Sequence, residues 1–347
     1  MTPHSPLRLL IDGDALAANW RTLRTLGGTA ACGAAVKADG YGLGAAQVAR
    51  RLAAEGCRDF FVATWSEAEA ILSAAGTASV CVLHGFAAED LAHALSSPAR
   101  PVLNTPLQAQ RWKAQAGGRA CDVMIDTGIN RLGLSPADAA GGLLDGLEIE
   151  TLMSHLACAD EDSGMNPRQR ALFLDVAARV PARRLSLANS AGIFLGADYA
   201  FDLTRPGLAL YGGIPRAAAE GRIAPVVRVE AQVVQRRTVA AGDSIGYNST
   251  WTAPRTSEIA ILNLGYADGY LRGFSGRGRA RLGEGFAPVV GRVSMDLTAI
   301  LVDDAPELGE GDWVELDYAL PAAAAQSGLS QYELLTTLGA RHARIWS

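Results

Sequence analysis

Residues 30–44 read Ala-Ala-Cys-Gly-Ala-Ala-Val-Lys-Ala-Asp-Gly-Tyr-Gly-Leu-Gly, a run of small apolar residues that ends on Lys37 and breaks into a glycine-rich turn. A helix-like stretch, 45–54, follows directly. A lysine on the last residue of a buried strand carries its amine to the carboxyl edge of the sheet, where α/β folds keep their ligand sites. An apolar wall raises the cost of the ammonium form there and lowers the pKa. An amine so placed is a candidate Schiff-base former. The Gly-x-Gly element is only part of a dinucleotide fingerprint: the third glycine and a following strand ending in an acid are out of register.

Outward from this unit the pattern repeats. Short β-like runs at 33–38, 59–64, 79–84, 100–103, 121–126, 149–155, 185–189 and 208–211 alternate with alanine-rich, helix-like stretches. Several of these helices open on Ser, Asp, Thr or Pro, residues that cap or start helices. Eight such runs in about 200 residues predict an α/β fold of the closed (β/α)8, TIM-like kind, with an open doubly wound sheet as the alternative. After Pro225 the texture changes. Residues 226–239 alternate as a strand with one buried face does. Further strand-like runs follow at 259–264, 279–282, 287–293, 298–302 and 313–316, with one convincing helix at 331–338. The expected domains are therefore a barrel over 1–225 and a mostly β domain over 226–347.

The chain has 347 residues, 49% of them hydrophobic and 19% charged, and a formal net charge of −5, which describes a globular protein with ample core. That balance argues against nucleic acid or an anionic membrane as the main partner. The basic stretch 272–281 is short and reads as a solvent-facing loop or hairpin. No apolar run is long enough to cross a bilayer, and the N-terminus lacks the apolar region of a signal peptide. Five scattered cysteines, with no C-x-x-C pair and no zinc-type cluster, read as reduced thiols of a cytoplasmic protein and imply no metal site.

Chemistry-bearing residues recur at the predicted carboxyl ends of the strands: Lys37, Asp126 with Arg131 beyond it, His155, Asn189-Ser190 and Arg205. Singly, each has an ordinary reading as a turn, a cap, a core histidine or a surface ion pair. Gathered around one barrel mouth they make a site.

The segments AAVKADGYGLG, DTGINRLG, SHLACADE, ANSAG, LTRPGLALYG, IGYNSTWTA, LGYADGY and GRVSMD run in order from about residue 30 to 300. On them the chain resembles the bacterial alanine racemases, isomerases that use pyridoxal 5'-phosphate (PLP). The lysine motif is shared with other PLP barrels; the last three segments are more specific. The resemblance implies interconversion of L- and D-alanine, for peptidoglycan or for alanine catabolism. Lys37 would hold PLP and act as one of two bases, serving the D-enantiomer. Tyr247, delivered from the β domain of a partner subunit, would be the other, so the catalytic unit would be a homodimer. The phosphate would lie against Tyr41, Ser190 and the backbone N–H groups of Gly207 and Leu208, with Asn189 in the same corner. Arg205 would face the pyridine nitrogen, and a guanidinium, being only a donor, keeps that nitrogen unprotonated. His155 would lie between Arg205 and Tyr247. Arg131 would touch PLP and the substrate carboxylate, which the Met295 N–H would also meet, and Tyr266 would line the entrance.

Two positions depart from the family pattern. Met124 stands where many members carry a carbamylated lysine beside the arginine, and Asn130 where they have glycine, so an amide, water or small anion is expected to support Arg131. Ala340 stands where a tyrosine is common, which predicts looser cofactor binding or a larger substrate. A serine or broad-range racemase is therefore the near alternative. A PLP decarboxylase of the same architecture would need a cysteine from the second domain, and none follows Cys158. A non-catalytic PLP-binding barrel would leave 226–347 unexplained.

Overall fold

The computed structural model describes residues 4–347. The chain divides into two units, Leu16–Ala224 and a second made of Pro225–Ser347 together with the segment ending at Ala15.

In the first unit the opening barrel strand comes in two pieces, Ala31–Cys32 and Ala34–Ala35. Parallel to it run Asp59–Val62, Ser79–Val82, Arg100–Leu103, Cys121–Met124, Ile149–Met153 and Arg184–Ser186, each beside the one before. The last strand, Leu203–Thr204, pairs with Ala31–Cys32. Its flanking Asp202 and Arg205 N–H groups donate to the carbonyls of Leu185 and Ala188 at 3.0 and 2.8 Å. Those bonds close the ring into the expected (β/α)8 barrel. Phe60, Phe61, Val80, Val82, Val102, Val123 and Leu152 are buried, as parallel strands covered on both faces require. Helices such as Ala45–Glu55 and Trp65–Ala75 connect the strands. The second of these starts on a capping box, in which Thr64 and Glu67 satisfy each other's backbone N–H.

One strand is displaced from its expected place. Residues 208–211 form a 3-10 turn, Leu208–Tyr211, and the eighth strand is Leu203–Thr204. Pro206 has no N–H to donate, which stops the ladder there. The N–H groups of Gly207 and Ala209 go to Ser190 Oγ instead of to a neighbouring strand.

The second unit is mostly strands. Its sheet runs in the order Arg279–Leu282, Gly285–Val290, Thr298–Leu301, Ser257–Leu262, Val227–Val239, Leu7–Ile11, Ala343–Trp346, and Trp313–Glu315 also pairs with the long strand. Leu7–Ile11 lies antiparallel to Val227–Val239 and parallel to Ala343–Trp346, which places the N-terminal segment in this unit rather than in the barrel. A second helix, Leu320–Ser327, accompanies Gln331–Thr336. No helix among the described residues is long and apolar enough to cross a membrane.

Candidate active site

Lys37 stands just past the first barrel strand, at the start of a tight turn, Lys37–Tyr41. Ala38, Asp39 and Tyr41 have φ of 53°, 51° and 55°, the left-handed region that costs residues with a Cβ about 1–2 kcal/mol each. Such strain persists only where the surroundings over-determine it. Here Glu67 Oε1 accepts the Ala38 N–H at 2.7 Å, and Asp39 Oδ1 accepts the Ala45 N–H at 2.8 Å. Glu67 also takes the Ala63 N–H at 2.6 Å, so one carboxylate ties the lysine turn to the next strand end. Burial lowers the Lys37 pKa, the Arg131 charge lowers it further, and Glu67 opposes both. Glu67 is not among the residues expected from the sequence, although the T-W-S-E capping box is its local signature.

Arg131 is exposed and its loop is shaped by Asp126. That carboxylate accepts the N–H groups of Gly128, Asn130 and Arg131 at 2.8, 3.1 and 3.0 Å. Asn130, with φ 54°, takes the left-handed conformation that glycine favours and asparagine tolerates. Among the described residues no side-chain amide meets the Arg131 guanidinium, and the support the chain itself gives this arginine runs through its backbone to Asp126.

His155 and Arg205 follow the sixth and eighth strands. Arg205 is buried and donates to Ser186 Oγ and to the Ser154 carbonyl. Burial brings its pKa down to about 10, with Asp122 and Cys81 opposing, so it stays a cation near neutral pH. His155 is pushed down to about 3 by burial and then by Arg205, Arg131 and Lys37, and is a neutral imidazole. That each of these cations acts on His155 places all four groups in one neighbourhood. Among the described residues no hydrogen bond joins the His155 ring to Arg205, and the two interact through charge.

Beside them lies a cradle of hydroxyls and amides. Ser190 Oγ accepts from the N–H groups of Gly207 and Ala209 at 2.9 and 3.1 Å. Tyr41 stacks on Tyr211 with centroids 4.6 Å apart. A Cβ on Gly207 would meet Tyr41 Oη at 2.2 Å, so only glycine lets the phenol reach this backbone. Leu208 is buried at the start of the 3-10 turn. Asn189 caps the helix Ser190–Ile193 by accepting the Gly192 N–H at 2.9 Å, a structural role in the same corner. The barrel thus assembles Lys37, Tyr41, Arg131, His155, Asn189, Ser190, Arg205, Gly207 and Leu208. Oriented amides, hydroxyls and cations around an amine whose pKa burial lowers suit an anionic ligand with an electrophilic carbon.

In the β unit, Tyr247 opens the turn Tyr247–Ser249 and is 66% exposed. It lines an open groove of about 820 Å³ with Ile245, Arg292, Ser294 and Leu297. The Tyr266 N–H donates to the Ser294 carbonyl at 3.0 Å, and the Ala267 N–H to the Met295 carbonyl at 3.0 Å. Tyr266 and Met295 therefore lie beside Ser294, which shares the groove with Tyr247. The Arg272 guanidinium lies 5.1 Å from the Tyr266 ring. Within the basic stretch, Arg279 and Arg281 face Asp317 and Glu315 and lie over Phe286, which takes up much of its charge.

Comparison with known proteins follows the same division. The family descriptions "Alanine racemase, N-terminal domain" and "Alanine racemase, C-terminal domain" match residues 11–215 and 226–346. The chain is 43% identical to an alanine racemase of Acidiphilium cryptum, over 97% of this chain and 98% of that one. It is 44% identical to an alanine racemase of Methylobacterium nodulans, over 97% and 95%. The crystal structure of an alanine racemase from Bartonella henselae with covalently bound pyridoxal phosphate superposes with a TM-score of 0.93 at 34% identity, covering 99% of this chain and all of that one.

Proposed function

The chain belongs to the alanine racemase family, and on that premise we propose that it is a PLP-dependent isomerase that interconverts L- and D-alanine. The observation that carries the reading is the amine of Lys37, its pKa lowered by burial and by Arg131, beside a cradle of Ser190, Tyr41 and the Gly207 backbone. The donor set fits PLP: an amine for its aldehyde, hydroxyls and amides for its phosphate, a guanidinium for its ring nitrogen. When bound, PLP supplies an electron-withdrawing ring that acidifies the Cα–H of an attached amino acid.

The protein's own residues do the rest. Lys37 Nζ would hold the cofactor, and the same amine would move a proton on one face of the substrate Cα. Tyr247 of the partner subunit moves a proton on the other face, and two bases on opposite faces are what inversion requires. Tyr41, Ser190 and the N–H groups of Gly207 and Leu208 would bind the phosphate. Arg205, a donor only, would hold the ring nitrogen as an acceptor and keep it unprotonated, which would limit charge delocalisation and side reactions. Arg131 and the Met295 N–H orient the substrate carboxylate, Tyr266 lines the entrance, and neutral His155 partners the phenol. The exposure of Tyr247 in an open groove supports a homodimer with shared sites. Five unpaired cysteines support a cytoplasmic enzyme.

The test is D-alanine production by the purified holoenzyme. Lys37→Ala is expected to abolish both directions and Tyr247→Phe chiefly L-to-D turnover. Full activity in Tyr247→Phe removes the two-base scheme.

A further inference from the structure

The residues proposed to meet the substrate in the β unit lie on two turns, and a side chain from a third segment joins them. Tyr266 belongs to the turn Tyr266–Asp268, and Met295 precedes Asp296. Arg341 Nε donates to Asp268 Oδ1 at 2.6 Å, and its Nη1 to Asp296 Oδ1 at 2.8 Å. One guanidinium thus bridges the tyrosine turn and the methionine turn.

Asp268 is the deeper partner. Its side chain is fully buried, and its second oxygen accepts the Gly265 N–H at 2.9 Å. Both oxygens therefore serve the shape of the Tyr266 turn. The two backbones are already close: a Cβ on Gly265 would lie 2.3 Å from the Met295 carbonyl oxygen. Arg341 itself is anchored from behind. It precedes the strand Ala343–Trp346, which pairs with Leu7–Ile11, and its carbonyl accepts the Ser5 hydroxyl at 2.7 Å. The adjoining Gly339 N–H donates to the Asp268 carbonyl at 3.2 Å.

We propose that Arg341 is a positioning residue for the substrate carboxylate, holding the Met295 N–H in register with Tyr266 through Asp296 and Asp268. The proposal rests on the functional reading above for Met295 and Tyr266. A planar guanidinium reaches two carboxylates at once in a fixed fork, which an ammonium does not. The outer pair is half-exposed, with Arg341 at 49% and Asp296 at 51%, and such pairs add little to folding. Its conservation of shape, rather than of stability, is the function assigned to it.

Two variants of the holoenzyme separate the roles. Asp296→Asn weakens only the outer contact, and Arg341→Lys keeps a cation beside buried Asp268 but loses the fork. Both are expected to raise KM for L- and D-alanine about tenfold with kcat changed less than about twofold, the signature of lost substrate binding common to ground and transition states. The cofactor's absorbance should stay at the wild-type value in both variants, and the melting temperature in Asp296→Asn, whose contact is half-exposed. Unchanged KM in both variants overturns the proposal, as does a fall in melting temperature that accompanies equal losses in kcat and affinity, which marks a scaffold role. Wild-type protein without racemase activity overturns the functional reading, and this inference with it; an active wild type with two unaltered variants overturns the inference alone.

Discussion

Burial and charge act on His155 in the same direction. The imidazole is taken out of water and faces Arg205, Arg131 and Lys37, so its pKa falls from 6.5 to about 3. Between those two values the unfolded chain binds a proton that the folded one refuses, and stability falls as pH drops through that window. His155→Gln is therefore expected to flatten the decline in melting temperature from neutral pH towards pH 4. An equally steep decline in the variant would show that His155 is exposed or paired with an acid. Lys37 obeys the same physics with the sign that favours its chemistry. Burial and Arg131 lower its pKa, so the nucleophilic amine is populated at lower pH than in a solvated lysine. Glu67 restrains that shift and also receives the Ala38 N–H, so one residue sets both the turn's shape and part of its charge.

At the scale of elements, the loop 126–131 is organised by a single carboxylate and one left-handed residue. Asn130 is exposed and has φ 54°. Asn130→Ala should cost about 1 kcal/mol, because alanine has a Cβ penalty there and no local side-chain bond. Asn130→Gly should be nearly neutral, which a pair of urea unfolding curves would reveal. Equal costs for both would mean that the asparagine side chain, not its backbone, holds Arg131. The loop also shows what sequence could and could not reveal. Strand ends carrying Lys37, His155 and Asn189 were legible, because apolar runs closed by polar residues mark where a barrel strand stops. The eighth strand was not, because Leu208–Tyr211 is as apolar as a strand, and its 3-10 form depends on Ser190, distant in sequence, receiving its N–H groups. Leu7–Ile11 has no local signature, because its short run acquires a partner only from residues beyond 226. The Arg341 bridge had no local signature, since its carboxylates come from two other turns.

At the scale of the whole molecule the question is how many chains make one site. Tyr247 is exposed, and its groove is bordered by Ile245 and Leu297 as well as by polar residues, a surface suited to a second copy. If each site takes Lys37 from one subunit and Tyr247 from the other, the two inactivating substitutions are complementary. A dimer of one Lys37→Ala chain and one Tyr247→Phe chain has one site lacking both groups and one site intact. Random pairing at equal amounts puts half of the chains in mixed dimers, so L-to-D activity should recover to about one quarter of wild type. The mixture must be formed by co-expression or by dissociation and reassociation, and the separate variants measured beside it. Sites contained within single chains give no recovery at all, because every site in the mixture then lacks either its amine or its phenol.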